Sequence, residues 1–293
     1  MNRRIIVSSN CQTGGVAAAL AAILPSDQII PFPLPVVGDT EGSGKLRDTL
    51  RMAEIWVSSG RYEFAEAAEL EHLRAKGGII KIPEVWFAAF HPDIVYARQT
   101  SIGELTIPHY NSGIAVWAYR HAIDAEDAAK LFSDRSYREL GYFECWNASV
   151  AQLERRFKPT DVDFSQFFLA VKRDGLFMHS LNHPMPPVLC RLAGQIAIHL
   201  GADASVLERR VQINDGLLAT IWPVYPAIGE RLAVIGSYDW KVDGVYYSGV
   251  RAYLDFAYAS YESKNIRPHD LTALGIDPVL YDRVLSAQLR ATP

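Results

Sequence analysis

The chain has 293 residues, enough for one large domain or for a domain with a sizeable extension. At 49% hydrophobic and 21% charged it has the composition of an ordinary globular protein. A formal net charge of −4 excludes any general attraction to nucleic acid or anionic membrane. Three cysteines, Cys11, Cys145 and Cys190, stand far apart with neither zinc nor redox spacing, which points to a reducing compartment. Met1-Asn2-Arg3-Arg4 leads into an apolar run that Ser8-Ser9-Asn10 breaks too early for a secretory signal. Nothing approaches the ~18 consecutive apolar residues of a spanning helix. The expectation is a cytoplasmic protein with no membrane span.

The predicted elements begin with a buried strand, Arg4 to Ser8, short and rich in β-branched residues. A polar turn, Ser9-Asn10-Cys11-Gln12-Thr13, leads to the Ala-rich helix Val16 to Leu24. Gln28 to Phe32 reads as a second strand, ended by Pro31, Pro33 and Pro35, which lack a ladder N–H. Val37 to Gly44 is a Gly-rich connector, Lys45 to Ala53 a helix, and Glu54 to Ser58 a third strand running into Ser59-Gly60. Tyr62 to Lys76 is a helix with Gly77-Gly78 at its C-terminal cap, and Ile79 to Pro83 a fourth strand.

Strands alternating with helices through short connectors predict a parallel sheet covered on both faces, a three-layer α/β fold. Ligands then sit outside the carboxyl ends of the strands, the edge where Cys11, Ser59 and Gly60 gather. Further on, two short helices are expected between Ser112 and Leu131, with Asp124 capping the second, followed by helices Leu140 to Phe157 and Thr160 to Val171. Gly175 to Leu181 reads as a fifth strand and Pro187 to Leu200 as an apolar helix. Beyond Gly201 the chain turns aromatic, with Tyr253, Phe256, Tyr258 and Tyr261 at helical spacing, a pattern that usually means core. The domain expectation is an α/β unit over 1–200 with a helical insertion at about 112–172. Residues 201–293 would form a mainly helical extension, either capping the sheet edge or contacting another subunit.

Cys11 stands before a helix N-terminus, where unpaired N–H groups favour a thiolate and could hold an oxyanion. The bland alternative is a small residue filling the gap between strand and helix. His183 directly follows the predicted fifth strand and could take the thiol proton, with Asn182 orienting it; otherwise it is an unpartnered turn histidine. His91-Pro92-Asp93, after the fourth strand, is a second pair that could face one pocket, or a turn with a local hydrogen bond. His179 alternates with Ser180 and reads as a satisfied core histidine. Metal motifs are missing, Gly44-Lys45-Leu46 breaks the P-loop register, and no G-x-G-x-x-G follows the first strand.

Three blocks in order, Ser9-Asn10-Cys11-Gln12 between strand and helix, Phe90-His91-Pro92-Asp93-Ile94-Val95-Tyr96, and Asn182-His183-Pro184, resemble the WcbI-type polysaccharide biosynthesis proteins over about the first two-thirds of the chain. That family's first block usually reads Gly-Asn-Cys-Gln, so Ser9 stands in place of a glycine. The resemblance implies a fold related to flavodoxin and the SGNH hydrolases. It also implies a coenzyme A-binding protein that transfers acetyl groups from acetyl-CoA to a sugar hydroxyl of a capsular or extracellular polysaccharide, without a metal. On that analogy Cys11 takes the nucleophile's place and His183 the base's, with His91 and Asp93 lining the same pocket.

Asn10, Gln12, Ser59, Gly60, Asn182 and Lys81 are candidates to touch the coenzyme, and Arg61, Lys81 and Arg98 are cations for its diphosphate. The partners expected are an acyl-CoA and a sugar acceptor, with no nucleic acid; a homo-oligomer stays open. An esterase or thioesterase using the same dyad, or a non-catalytic coenzyme A or nucleotide-sugar binder, remain as other readings.

Overall fold

The computed structural model describes residues 2–60, 62–101 and 110–291. It begins with β1 (Arg4–Ser8), α1 (Thr13–Ile23), β2 (Gln28–Pro31), α2 (Thr40–Arg51), β3 (Ile55–Ser58), α3 (Ala67–Lys76) and β4 (Gly78–Lys81). There follow β5 (Ile94–Gln99), β6 (Asn111–Ser112), α4 (Gly113–Arg120), α5 (Ala125–Ala129), α6 (Asp134–Glu139), α7 (Cys145–Phe157), α8 (Phe164–Lys172) and α9 (Pro186–His199). The chain closes with α10 (Pro226–Leu232), β7 (Asp239–Val242), β8 (Val245–Ser248), α11 (Val250–Ser263), β9 (Leu271–Leu274) and α12 (Pro278–Ala291). It divides into two compact units, Met1–Phe87 with Val150–Leu218, and Ala88–Ser149 with Ala219–Pro293. This division cuts across the boundary expected at residue 200.

In the first unit β1 to β4 form a parallel sheet in the order β2-β1-β3-β4, with Ile5 opposite Ile29 on one side and Ile55 on the other. Ile5, Ile6, Val7, Trp56 and Val57 are buried, as a parallel sheet covered by helices requires. Leu46 and Leu50 of α2 and Leu73 of α3 pack in one cluster with Ile6 and Trp56. The small, apolar α1 packs along α9; its Val16, Ala19, Leu20 and Ile23 are buried, as are Val188, Leu189 and Leu192 of α9.

Local chemistry moved several expected boundaries. Asp39 accepts from the Gly42 N–H and starts α2 at Thr40, inside the stretch read as a connector. The expected helix from Tyr62 splits into a 3-10 turn and α3, which starts at a capping box between Glu66 and Glu69. Gly77 has no room for a side chain, because a Cβ would meet Ile55 at 2.8 Å and the Glu54 carbonyl at 3.2 Å; Gly78 then turns at φ +93°. The fifth strand does not form. His179 N–H donates to the His183 carbonyl (2.7 Å) and Met185 N–H to that of Phe177 (3.0 Å), so residues 175–181 double back on 183–185 and spend their hydrogen bonds there.

The second unit holds β5 between β6 and β9, antiparallel to both, and the β7–β8 hairpin, which turns at Asp243-Gly244 with both residues at positive φ. Among the described residues, the C-terminal stretch supplies the three short strands β7, β8 and β9 beside the helices α10, α11 and α12. Of the aromatic residues at helical spacing, two are core and two, Phe256 and Tyr258, are half-buried. Tyr253 and Tyr261 are buried, and Tyr253 stacks on Trp240 with ring centroids 4.4 Å apart.

Candidate functional site

The sheet order reverses direction between β1 and β3, because β1 leads outward to β2 and β3 leads the other way to β4. At such a switch point the loops after the two strands part, and a crevice opens beyond their carboxyl ends. Here those loops are Ser9–Gln12 and Ser59–Gly60, tied together by a hydrogen bond from Ser59 N–H to the Ser8 carbonyl (3.0 Å). Gly60 sits at φ +110°, a conformation that disfavours any side chain.

The first loop is held by its own polar side chains. Thr13 Oγ1 accepts from Ser9 N–H (2.9 Å) and donates to the Asn10 carbonyl (2.8 Å), while Asn10 Oδ1 accepts from Gln12 N–H (3.0 Å). Ser9 keeps a negative φ, so the turn does not need the glycine usual in the resembling family. Cys11 is exposed, with Sγ 3.8 Å from Asn10 Oδ1. Its thiol is not poised as a thiolate. Desolvation by the surrounding protein pushes it up to about 11, with the Glu84 charge adding to the rise, against an opposing backbone hydrogen bond.

Gln12 joins this turn to the Asn182-His183-Pro184 block. Its Nε2 donates to the carbonyls of Val85 (2.9 Å) and Asn182 (3.1 Å), and its Oε1 accepts from Val85 N–H (3.1 Å). The residue after Cys11 is thus bonded to the residue before His183, which brings the thiol's turn and the imidazole's loop together. Gln12 is 1% exposed and its side-chain amide is committed to backbone.

Ser59, Gly60 and Lys81, all named from sequence, line one depression of about 240 Å³ with Tyr62, Glu84 and Arg156. Ser59 Oγ donates to Glu84 Oε1 (3.3 Å), and Lys81 Nζ stands 5.8 Å from the centre of the Tyr62 ring. Arg156 lies over the Trp86 ring at 4.8 Å; burial disfavours its charge while Glu84 supports it. Arg156 escaped the sequence reading, since it arrives from the end of α7, far along the chain. Arg61 lies outside the described residues, and Arg98 belongs to β5 in the second unit.

His179 is satisfied, as read, but by a carboxylate: its Nε2 is 2.7 Å from Asp215 Oδ2. Nothing in the local pattern announces Asp215, 36 positions away. His91 and Asp93 belong to the second unit and are buried at 2% and 1% exposure, so they do not line an open pocket. Asp93 Oδ1 accepts from Tyr142 OH (2.6 Å) and Ile114 N–H (3.1 Å), and Oδ2 from Tyr225 OH (2.6 Å). Burial raises its pKa despite these donors. His91 Nδ1 lies 3.4 Å from the Pro223 carbonyl. Both Asp93 carboxylate oxygens thus accept from interior hydroxyl or N–H groups.

No group of three or more His, Cys, Asp or Glu that could hold a metal occurs among the described residues, and no described helix is long and apolar enough to cross a membrane.

A family profile described as the polysaccharide biosynthesis enzyme WcbI matches residues 4–205. A comparison with curated proteins finds no match. Among solved structures, native WcbI, described as a novel polysaccharide biosynthesis enzyme in a form without a disulfide bond between coenzyme A and one of its cysteines, matches with a TM-score of 0.74. The match covers 99% of each chain at 15% identity, a likeness of fold. With more than half of its length matched by the profile, the chain belongs to the WcbI family of polysaccharide biosynthesis enzymes.

Proposed function

We propose that the protein is an acetyl-CoA-dependent O-acetyltransferase acting on a sugar hydroxyl of a capsular or extracellular polysaccharide, with Cys11 and His183 as its working pair. The observation that carries this reading is the Gln12 clamp, which holds the cysteine turn beside the Asn182-His183 loop at the sheet's switch point. The WcbI relative, described in a form without a disulfide bond between coenzyme A and one of its cysteines, supports the choice of thioester donor.

With its thiol pushed up to about 11, Cys11 needs a base during attack. His183 takes the Sγ proton as sulfur adds to the thioester carbonyl, and returns it to the departing coenzyme A sulfur. One thioester replaces another, so the exchange is close to neutral. The sugar hydroxyl then attacks the S-acetyl group, His183 accepts its proton, and Cys11 leaves, recovering a proton from the imidazolium. N–H groups at the start of α1 would receive the oxyanion in both steps. Lys81 and Arg156 would hold the diphosphate. Their depression of about 240 Å³ is smaller than the ~300–1,000 Å³ of sites that enclose a drug-sized ligand, so it would take that group and leave the nucleotide outside.

The raised thiol also favours a second course, in which His183 activates the sugar for direct attack while Cys11 only positions the thioester.

Incubation with acetyl-CoA, followed by intact-mass and free-thiol measurements with and without a sugar acceptor, separates the readings. An added acetyl group on Cys11 that a sugar discharges supports the covalent course. Acceptor-dependent transfer that survives in Cys11→Ala supports the direct one. Coenzyme A release that ignores the sugar indicates a hydrolase. Coenzyme A binding without turnover, unchanged in Cys11→Ala and His183→Ala, would leave a non-catalytic binder.

A further inference from the structure

Helices α8 and α9 and residues 206–212, all in the first unit, wall a groove of about 660 Å³. This is within the range of roughly 300–1,000 Å³ typical of small-molecule sites. The groove reaches Ile23, the last residue of α1, about 16 Å along that helix from its start beside Cys11, by the helical rise of 1.5 Å per residue. Its wall is mostly aliphatic, with Leu169, Ala170, Pro187, Leu207 and Val211 facing it, and Leu169 is 56% exposed.

Four arginines, Arg173, Arg191, Arg209 and Arg210, border this wall against one acid, Glu208. That concentration is notable in a chain of net charge −4. Two of the four have local duties: Arg191 pairs with Asp174 at 2.9 Å, and Arg209 Nη1 reaches the Ile23 carbonyl at 3.5 Å. Arg173 and Arg210 make no side-chain hydrogen bond or ion pair among the described residues.

An aliphatic floor with spare guanidinium groups selects a ligand of matching halves. A nucleobase has no open ring to stack on, because the one aromatic lining residue, Phe167, is 1% exposed. A bare inorganic anion would meet exposed, solvent-screened arginines and leave the apolar wall wet. A bilayer surface does not enter a concave groove.

We propose that this groove binds a monomeric single-chain anionic amphiphile, its alkyl chain along Leu169, Ala170, Pro187 and Leu207 and its phosphate or carboxylate head on Arg173 and Arg210. The site is independent of the acetyl-transfer reading and stands whether or not that reading does.

The test is calorimetric titration of the full chain with octyl, decyl and dodecyl phosphate, each below its micelle concentration. The expected result is saturable one-to-one binding that tightens about fourfold per added methylene, the increment for burying one CH₂. Ala170→Trp, which fills the groove, should abolish binding with the melting temperature kept. Arg173→Glu with Arg210→Glu, both at exposed positions, should weaken it at least tenfold and remains decisive if the tryptophan variant fails to fold. Equal affinity for inorganic phosphate or for decyltrimethylammonium would overturn the proposal. So would indifference to chain length, binding only to phosphatidylglycerol vesicles, or no effect of the folded variants.

Discussion

At the scale of single residues, Cys11 is a thiol whose surroundings withhold its anion. Desolvation by the surrounding protein and the Glu84 charge both act against the charged form and place its titration at about 11. Since the thiolate is the reactive species, alkylation of Cys11 by iodoacetamide should keep rising through neutral pH towards 11, and Glu84→Gln should move that rise to lower pH. A rate already level at pH 8, followed by mass spectrometry, contradicts this.

Asp93 carries a similar burden deeper in the protein, an acid held among tyrosine hydroxyls. Its folded pKa is raised, so the native state holds the proton more tightly than the unfolded chain. The associated stability is full below the unfolded value and is lost as pH rises through the folded one. Asp93→Asn should therefore flatten the decline of stability with rising pH. Asp93→Ala should cost about 3 kcal/mol by stranding buried donors, as denaturant melts of the two variants would show.

At the scale of elements, several of the chain's helices start where a polar side chain accepts from the first turn. Asp39 before α2, Ser112 before α4, Asp124 before α5 and Asp163 before α8 all do so. The Asp124 cap was legible in advance, because two acids follow it at capping distance. The Asp39 cap was hidden by the glycines around it, which read as connector. Asp39→Ala should lower stability by about 1 kcal/mol in urea melts, a loss that would not appear if α2 were held by packing alone. The missing fifth strand teaches the same lesson from the other side. Residues 175–181 have strand-like composition, yet the Asn182-His183-Pro184 turn folds them back on their own continuation, and a carbonyl bound there cannot also serve a ladder.

On the scale of the whole chain, each compact unit is assembled from two separated segments. The first needs α9, more than 160 residues after α1, to cover the apolar side of that helix. A fragment of residues 1–87 should consequently fail to fold on its own, showing weak near-ultraviolet circular dichroism and rapid proteolysis. Addition of residues 150–218 through a short linker should restore a cooperative transition.

The alternation of short apolar runs with helix-forming stretches was enough, by itself, to establish the parallel sheet and to put Cys11, Ser59 and Gly60 on its carboxyl edge. Those features depend on local period and on turn residues, which neighbouring positions encode. Only tertiary structure decided that Gln12 would bind Asn182, that Arg156 would stand beside Lys81, that Asp215 would meet His179, and that Asp93 would be sealed among tyrosines. Each of these joins residues between 36 and 170 positions apart, and hydrogen bonding and charge act through distance in space, which a linear pattern does not record.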